Sequence, residues 1–276
     1  MVSLSQLWEV IGESVEGALH RRSGMTNQDD INWYPGQGES DTVMMAVSDG
    51  HGSQKCFRSD RGAEFAVKAT IGSLRDLFIK SRQTISDVRH IAKDILPRDI
   101  IMRWRRLVDT DYKDYPFSEN ESQILQNRSH FYAYGATAIS VCVSPMFILY
   151  FQLGDGDILT VSAKGEVRRP LPADDRLFAN ETTSLCAPQA WVDFRYFIQT
   201  DVDTFPKMIL LSTDGYANSF KDDTSFFKAA YDIWEILRSE GGNYVQNHLS
   251  EWLSETSEGG CGDDISVGLI FPAITR

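Results

Sequence analysis

The chain has 276 residues, 42% hydrophobic and 24% charged, and its 39 acidic against 27 basic residues give a formal charge of −12. These fractions suit a globular protein long enough to bury a core. The acidic balance argues against general affinity for nucleic acid or an anionic membrane, which both reward a basic face. It leaves phosphorylated substrates open if metal ions supply the positive charge. Cys56, Cys142, Cys186 and Cys261 form no C-x-x-C pair, so no zinc ribbon or thioredoxin-type site is expected. The first residues lack the basic start and apolar run of a signal peptide. The most apolar stretch, 138–153, is broken by Ser144-Pro145 and is too short to span a bilayer. A cytoplasmic protein is expected.

In chain order, the first strong strand signal is 42–48, a run of large apolar residues ending at Asp49-Gly50. Ala63, Val67, Ile71, Leu74 and Phe78 then recur at helical spacing. Residues 75–106 carry nine basic side chains, among them Lys80, Arg82, Arg89, Arg98 and Arg103, against four acidic ones. Pro97 is expected to separate two helical pieces there. This stretch reads either as a solvated helical face or as a docking surface for an acidic or phosphorylated partner. Residues 109–127 are polar and read as a loop. Residues 138–143 form a strand, and Ser144-Pro145 turns it into a second strand over 146–154, followed by Asp155-Gly156. A further hairpin is expected around Lys164-Gly165.

Residues 208–213 form another apolar run, ending at Asp214-Gly215. Phe226, Ala230, Ile233, Trp234 and Leu237 mark a helix started by Asp222-Asp223-Thr224 and stopped by Gly241-Gly242, and Val245, His248, Leu249 and Trp252 mark the next. Asp263-Asp264 opens a last strand over 265–271. Strands and helices come in clusters, which favours an α+β fold over alternating βαβ units. A single domain over 1–276 is expected, with 75–130 a helical and loop segment inside it.

A lone Asp-Gly is first of all a turn signal. Here three such pairs follow strong strands, and a further aspartate precedes one. Four carboxylates gathered at strand ends repel one another unless cations intervene. The five histidines are scattered and the cysteines form no set, so the donor type is hard oxygen, which favours Mg²⁺ or Mn²⁺ over zinc. No P-loop, dinucleotide fingerprint or nucleophile elbow is present. Leu159 and Thr160 fall where a calcium loop beginning at Asp155 needs an oxygen ligand and a glycine. Divalent ions held by carboxylates suit hydrolysis of a phosphomonoester dianion, because they neutralise the phosphoryl oxygens and activate water. No covalent intermediate is then required.

Asn27-Gln28-Asp29, Val47-Ser48-Asp49-Gly50-His51-Gly52, Gly135-Ala136-Thr137-Ala138, Gly154-Asp155-Gly156, Ser212-Thr213-Asp214-Gly215 and Gly262-Asp263-Asp264-Ile265-Ser266-Val267 occur in order along the chain. In that order and rough spacing they resemble the metal-dependent protein phosphatases of the protein phosphatase 2C family, in their compact bacterial form. Gly17-Ala18-Leu19-His20 leading to Gln28-Asp29 adds to the likeness. The resemblance implies a four-layer α-β-β-α sandwich with two central antiparallel sheets. It implies a cleft with two Mn²⁺ or Mg²⁺ ions and a third, weaker site. By position Asp49 bridges the ions, the Gly50 carbonyl binds one, and Asp214 and Asp263 complete the pair. Asp29 is a nearby ligand or acceptor, and Asp155 serves the third ion. His51 stands where the family has a proposed general acid. Phosphorylated Ser/Thr proteins are the implied substrates, with a cognate Ser/Thr kinase as the implied partner.

Two departures stand out. Gly24 occupies the position of the family's phosphate-binding arginine, leaving His20, Arg21 and Arg22 as the nearest candidates; if that segment is extended, Arg21 and Arg22 cannot both face the cleft. The last motif reads Asp263-Asp264 where the family has Asp-Asn, and Asn218 stands where some relatives carry another acid. The alternatives are a catalytically weak relative acting as a regulatory or binding module, and a metal-dependent hydrolase of small phosphate esters.

Overall fold

The computed structural model describes residues 6–36, 38–79, 84–172 and 183–273. The strands are β1 (Trp8–Val15), β2 (Asp29–Tyr34), β3 (Val43–Asp49), β4 (Ala138–Val143), β5 (Ile148–Leu153), β6 (Asp157–Val161), β7 (Val167–Arg168), β8 (Arg195–Gln199), β9 (Met208–Ser212) and β10 (Ile265–Pro272). They form two five-stranded sheets, ordered β1-β10-β9-β6-β7 and β2-β3-β4-β5-β8. Every pairing within them is antiparallel. The helices are α1 (Ala18–Ser23), α2 (Ser59–Phe78), α3 (Ile85–His90), α4 (Leu96–Asp114), α5 (Glu119–Leu125), α6 (Asp214–Asn218), α7 (Asp223–Glu240) and α8 (Gly242–Gly259).

The layering follows from the two-residue period of a strand. Val43, Met45 and Val47 of β3 meet Ile139, Val141 and Val143 of β4 and Ile209 and Leu211 of β9 between the sheets. The intervening Met44 and Cys142 turn outward onto Phe65 and Ala69 of α2 and Trp104 of α4. On the opposite side, Met208, Leu210, Val267 and Leu269 pack under Phe226 and Trp234 of α7 and Leu249 of α8. Three apolar interfaces thus separate four layers, helices outside and two antiparallel sheets inside, as expected. The sheets approach closely at Gly268, where a Cβ would lie 2.1 Å from Met45 Sδ. Among the described residues no helix is long and apolar enough to cross a membrane.

Two local expectations need correction. Pro97 does not separate two helical pieces. The chain stays helical from Ile85 to Asp114, with a π-helical stretch, Ile91–Ile95, just before it. The wider π turn accommodates the missing N–H and the ring, and Pro97 falls in the first turn of α4. Nor are residues 109–127 a loop: they contain the end of α4 and all of α5. Their polar side chains are held by partners. Buried Asp111 accepts from the Tyr134 hydroxyl at 2.6 Å and pairs with Arg61 at 2.7 Å. Ser118 and Glu121 form a capping box at the start of α5.

Part of the basic stretch is engaged within the fold, while Arg89, Lys93 and Arg106 are exposed. Arg103 bridges Asp76 and Asp99, Arg105 reaches the carbonyls of Ala187 and Pro188, and Arg98 lies over the Trp191 ring. Lys80 and Arg82 lie outside the described residues.

Candidate metal centre

Five aspartates meet at one end of the two sheets, each placed by a strand terminus. Asp29 opens β2 and is paired directly with Asp49, which closes β3. Thr137 clamps Asp49 from both sides of the peptide: its N–H donates to the Asp49 carbonyl and its hydroxyl accepts from the Asp49 N–H, each at 2.8 Å. The Ser48 hydroxyl donates to the Thr137 carbonyl at 2.6 Å. The Gly135-Ala136-Thr137-Ala138 motif therefore serves to fix the end of β3. Asp155 lies in the turn between β5 and β6. The buried Gln152 amide donates to the carbonyls of Gly154 and Gly156, at 3.1 and 2.6 Å, and so shapes that turn. Gly154 has φ +107, and a Cβ there would lie 2.5 Å from Thr137 Cγ2, so only glycine suits it. Asp214 is the first residue of α6, where the Asn218 amide donates to it at 3.0 Å.

Carboxylate oxygens of Asp49, Asp155 and Asp214 lie within 4.8 Å of one another. Burial, then the charges of Asp29, Asp214 and Asp155, push the Asp49 carboxyl well above the usual range. Burial also raises Asp29; the Thr213 hydroxyl, donating at 2.6 Å, opposes this, while Asp264, Asp214 and Asp263 reinforce it. Burial and the Asp155 charge lift Asp214 to about 6. Such mutual repulsion among desolvated oxygens is relieved by divalent cations, and the donor set fits them. Gly50 follows Asp49 with its N–H on the Gln28 carbonyl, and a Cβ would lie 2.4 Å from the Ser59 carbonyl oxygen, so its backbone is held against the start of α2.

Half-buried His51 lies beside Gly135, its Nε2 out of contact with solvent and without a hydrogen-bond partner among the described residues. Burial lowers its pKa, and the Asp155 charge opposes that.

A second cluster adjoins the first. His20, Asp263 and Asp264 also present donor atoms within 4.8 Å of one another. Asp263 is half exposed, with its Oδ1 4.0 Å from His20 Nε2. Asp264 is buried and accepts from the N–H groups of Gly17 and Gln28, each at 2.6 Å, and from His20 Nδ1 at 2.8 Å. The second acid of the last motif thus ties the end of β1, α1 and the start of β2 to the loop before β10.

The segment carrying His20 is helical rather than extended. Arg21 turns to the Glu16 carbonyl and to Glu258 on α8, at 2.6 and 3.1 Å, and Arg22 is exposed. Gly24 ends α1 in the left-handed region at φ +70, a conformation an arginine adopts only under strain. Gln152 and Thr137 were not singled out individually by sequence reasoning. The polar glutamine inside an otherwise apolar strand was the available signal.

No curated protein sequence matches the chain. The catalytic domain of the serine/threonine protein phosphatase PstP, crystallised with two manganese ions, superimposes with a TM-score of 0.58 at 15% identity, covering 97% of this chain and 99% of that one. Serine/threonine phosphatase Stp1 from Staphylococcus aureus gives 0.61 at 16%, covering 99% and 98%. The Mycobacterium tuberculosis phosphatase PstP/Ppp gives 0.59 at 13%, covering 97% and 100%. At these identities the likeness is one of fold. The family model described as protein phosphatase 2C matches residues 16–254, and the chain belongs to that family.

Proposed function

We propose that the chain is a divalent-metal-dependent phosphatase acting on phosphoserine and phosphothreonine in proteins, with all of it forming one catalytic unit. The observation that carries this is the convergence of Asp29, Asp49, Asp155, Asp214 and Asp263 at one end of a sandwich of the protein phosphatase 2C family. Asp49, Asp214 and Asp263, with the Gly50 carbonyl, would hold two Mn²⁺ or Mg²⁺ ions, and Asp155 a looser third. Bound there, such ions supply positive charge for the phosphate dianion and lower the pKa of a water molecule.

The chain's own residues do the rest. Thr137 and Gln152 hold the carboxylate-bearing turns so that little reorganisation is needed. Thr213 orients Asp29. His51, beside Asp155, is the group we assign to protonating the leaving oxygen. Of the three residues considered as phosphate anchors, His20 is the one brought against Asp263, since Arg21 is engaged by Glu258. A cognate Ser/Thr kinase is the implied partner.

Turnover of phosphoserine and phosphothreonine peptides should be compared with that of small phosphate esters at saturating Mn²⁺. Higher kcat/KM on the peptides supports the proposal. Hydrolysis confined to small esters would favour the small-molecule reading, and no turnover of either would favour a regulatory module.

A further inference from the structure

We infer that His20 is a ligand of the divalent centre, its Nε2 and a carboxylate oxygen of Asp263 holding one ion between them while Asp264 fixes the ring from behind. This rests on the reading of the site as a divalent-metal hydrolase and gives that site a nitrogen donor.

The first support is the environment of Asp264. Its carboxylate is buried and receives two backbone N–H groups, from Gly17 and Gln28, at 2.6 Å each. A carboxylate so used is an acceptor, so the His20 nitrogen lying 2.8 Å from it, Nδ1, carries the hydrogen. In the neutral ring the Nε2 lone pair then faces away from Asp264. Metal-ligating histidines commonly donate from one nitrogen to a carboxylate and present the other to the ion, and His20 and Asp264 supply the carboxylate–histidine half of that arrangement.

The second support is distance. His20 Nε2 and Asp263 Oδ1 are 4.0 Å apart, too far for a hydrogen bond. Two donors each about 2.1 Å from a shared ion can be up to about 4.2 Å apart, so the gap is one an ion can span. The third support is fixation. The Leu19 N–H donates to the Gly262 carbonyl at 2.8 Å and the Ala18 N–H to the Ser257 hydroxyl at 3.0 Å. A Cβ on Gly17 would lie 2.3 Å from the Asp263 carbonyl carbon. Helix α1 is thus pinned to the loop that carries Asp263, and the two donors move as one body. Asp263 is also near enough to Asp29 and Asp214 for its charge to act on their carboxyls, so the two clusters adjoin.

An imidazole donor moves the site from all-oxygen ligation toward first-row transition ions, so Mn²⁺ should be held more tightly than Mg²⁺. A ligating Nε2 cannot also donate to the substrate phosphate, which makes the two roles of His20 separable.

The test is Mn²⁺ binding to the full chain, counted by electron paramagnetic resonance of free Mn²⁺, with pulsed measurements of ¹⁴N coupling to the bound ion. The parent should show an imidazole coupling. His20→Ala should lose it and bind that ion at least about tenfold more weakly, and Asp264→Asn should weaken it about 10–100-fold. His51→Ala should keep the coupling, which excludes the other nearby imidazole as its source. His20→Gln, closer in volume, should also lose the signal and serves if the alanine variant does not fold. Bound Mn²⁺ with full turnover but no ¹⁴N coupling in the parent would overturn the ligand role and leave the hydrolase reading standing. A raised KM in His20→Ala with unchanged Mn²⁺ affinity would overturn it in favour of a phosphate contact. A parent that binds no Mn²⁺ would remove both.

Discussion

Replacing Asp214 with asparagine should make the metal-free protein more stable at neutral pH while weakening its response to metal. Burial and neighbouring charges lift the Asp214 carboxyl from its ordinary 3.8 to about 6. The folded state therefore binds this proton more tightly than the unfolded chain does. The resulting stabilisation is fully present below 3.8 and is lost as pH rises through about 6. That gap corresponds to ~3 kcal/mol. For a chain of this size, at about 2 °C per kcal/mol, it is worth roughly 6 °C in Tm. Asp29 and Asp49 are raised as well and act in the same direction. Asp222 and Asp223 are lowered by hydrogen bonds from Ser225 and Arg169 and act oppositely, so the difference between parent and variant is the quantity to read. Thermal unfolding with a chelator should be followed from about pH 4 to pH 7.5. The variant should gain on the parent across that window and melt about 6 °C higher at the top of it. Mn²⁺ should raise the parent's Tm more than the variant's. A parent–variant difference that stays flat across the window, with equal Mn²⁺ responses, would refute the reasoning.

Asp49→Asn should lower Mn²⁺ affinity in calorimetric titration and reduce kcat by on the order of a hundredfold or more, since losing a direct ligand should exceed the 10–100-fold typical of an outer-shell partner. Asp111→Ala should cost about 1–3 kcal/mol in urea unfolding, because it leaves the buried Tyr134 hydroxyl without its acceptor, while Arg61 is exposed enough to be solvated. Arg21→Ala should match the parent in kcat and KM at saturating Mn²⁺, because its guanidinium is turned to Glu258; a raised KM would place it at the phosphate instead.

The central strands were legible because β3, β4, β5, β9 and β10 are buried on both faces and read as apolar runs, all but β4 beside an aspartate. β1 was not, because Gly12, Glu13 and Ser14 interrupt its pattern; a Cβ on Gly12 would lie 2.7 Å from Ile31 Cδ1, so close packing of the sheets imposes a glycine where alternation would ask for a large side chain. α1 has six residues and is held by α8 and the loop before β10, contacts that no local pattern announces. The polarity of residues 109–127 concealed helices because Asp111 is polar yet buried against its partners. At the site, the aspartates could be placed from their motifs. The division of labour between Asp263, half exposed in the cleft, and Asp264, buried as an anchor, could not, since adjacent identical residues differ only in what the fold sets beside them.

The central claim is that these carboxylates hold divalent ions for phosphoprotein hydrolysis. Its most direct test is phosphate release from a phosphothreonine peptide by exhaustively chelated protein as Mn²⁺ is titrated back. Turnover should be near zero at the start and rise saturably with Mn²⁺, and Asp49→Asn should require far more Mn²⁺ and remain slow. Full turnover by chelated protein in which elemental analysis detects no metal would contradict the account.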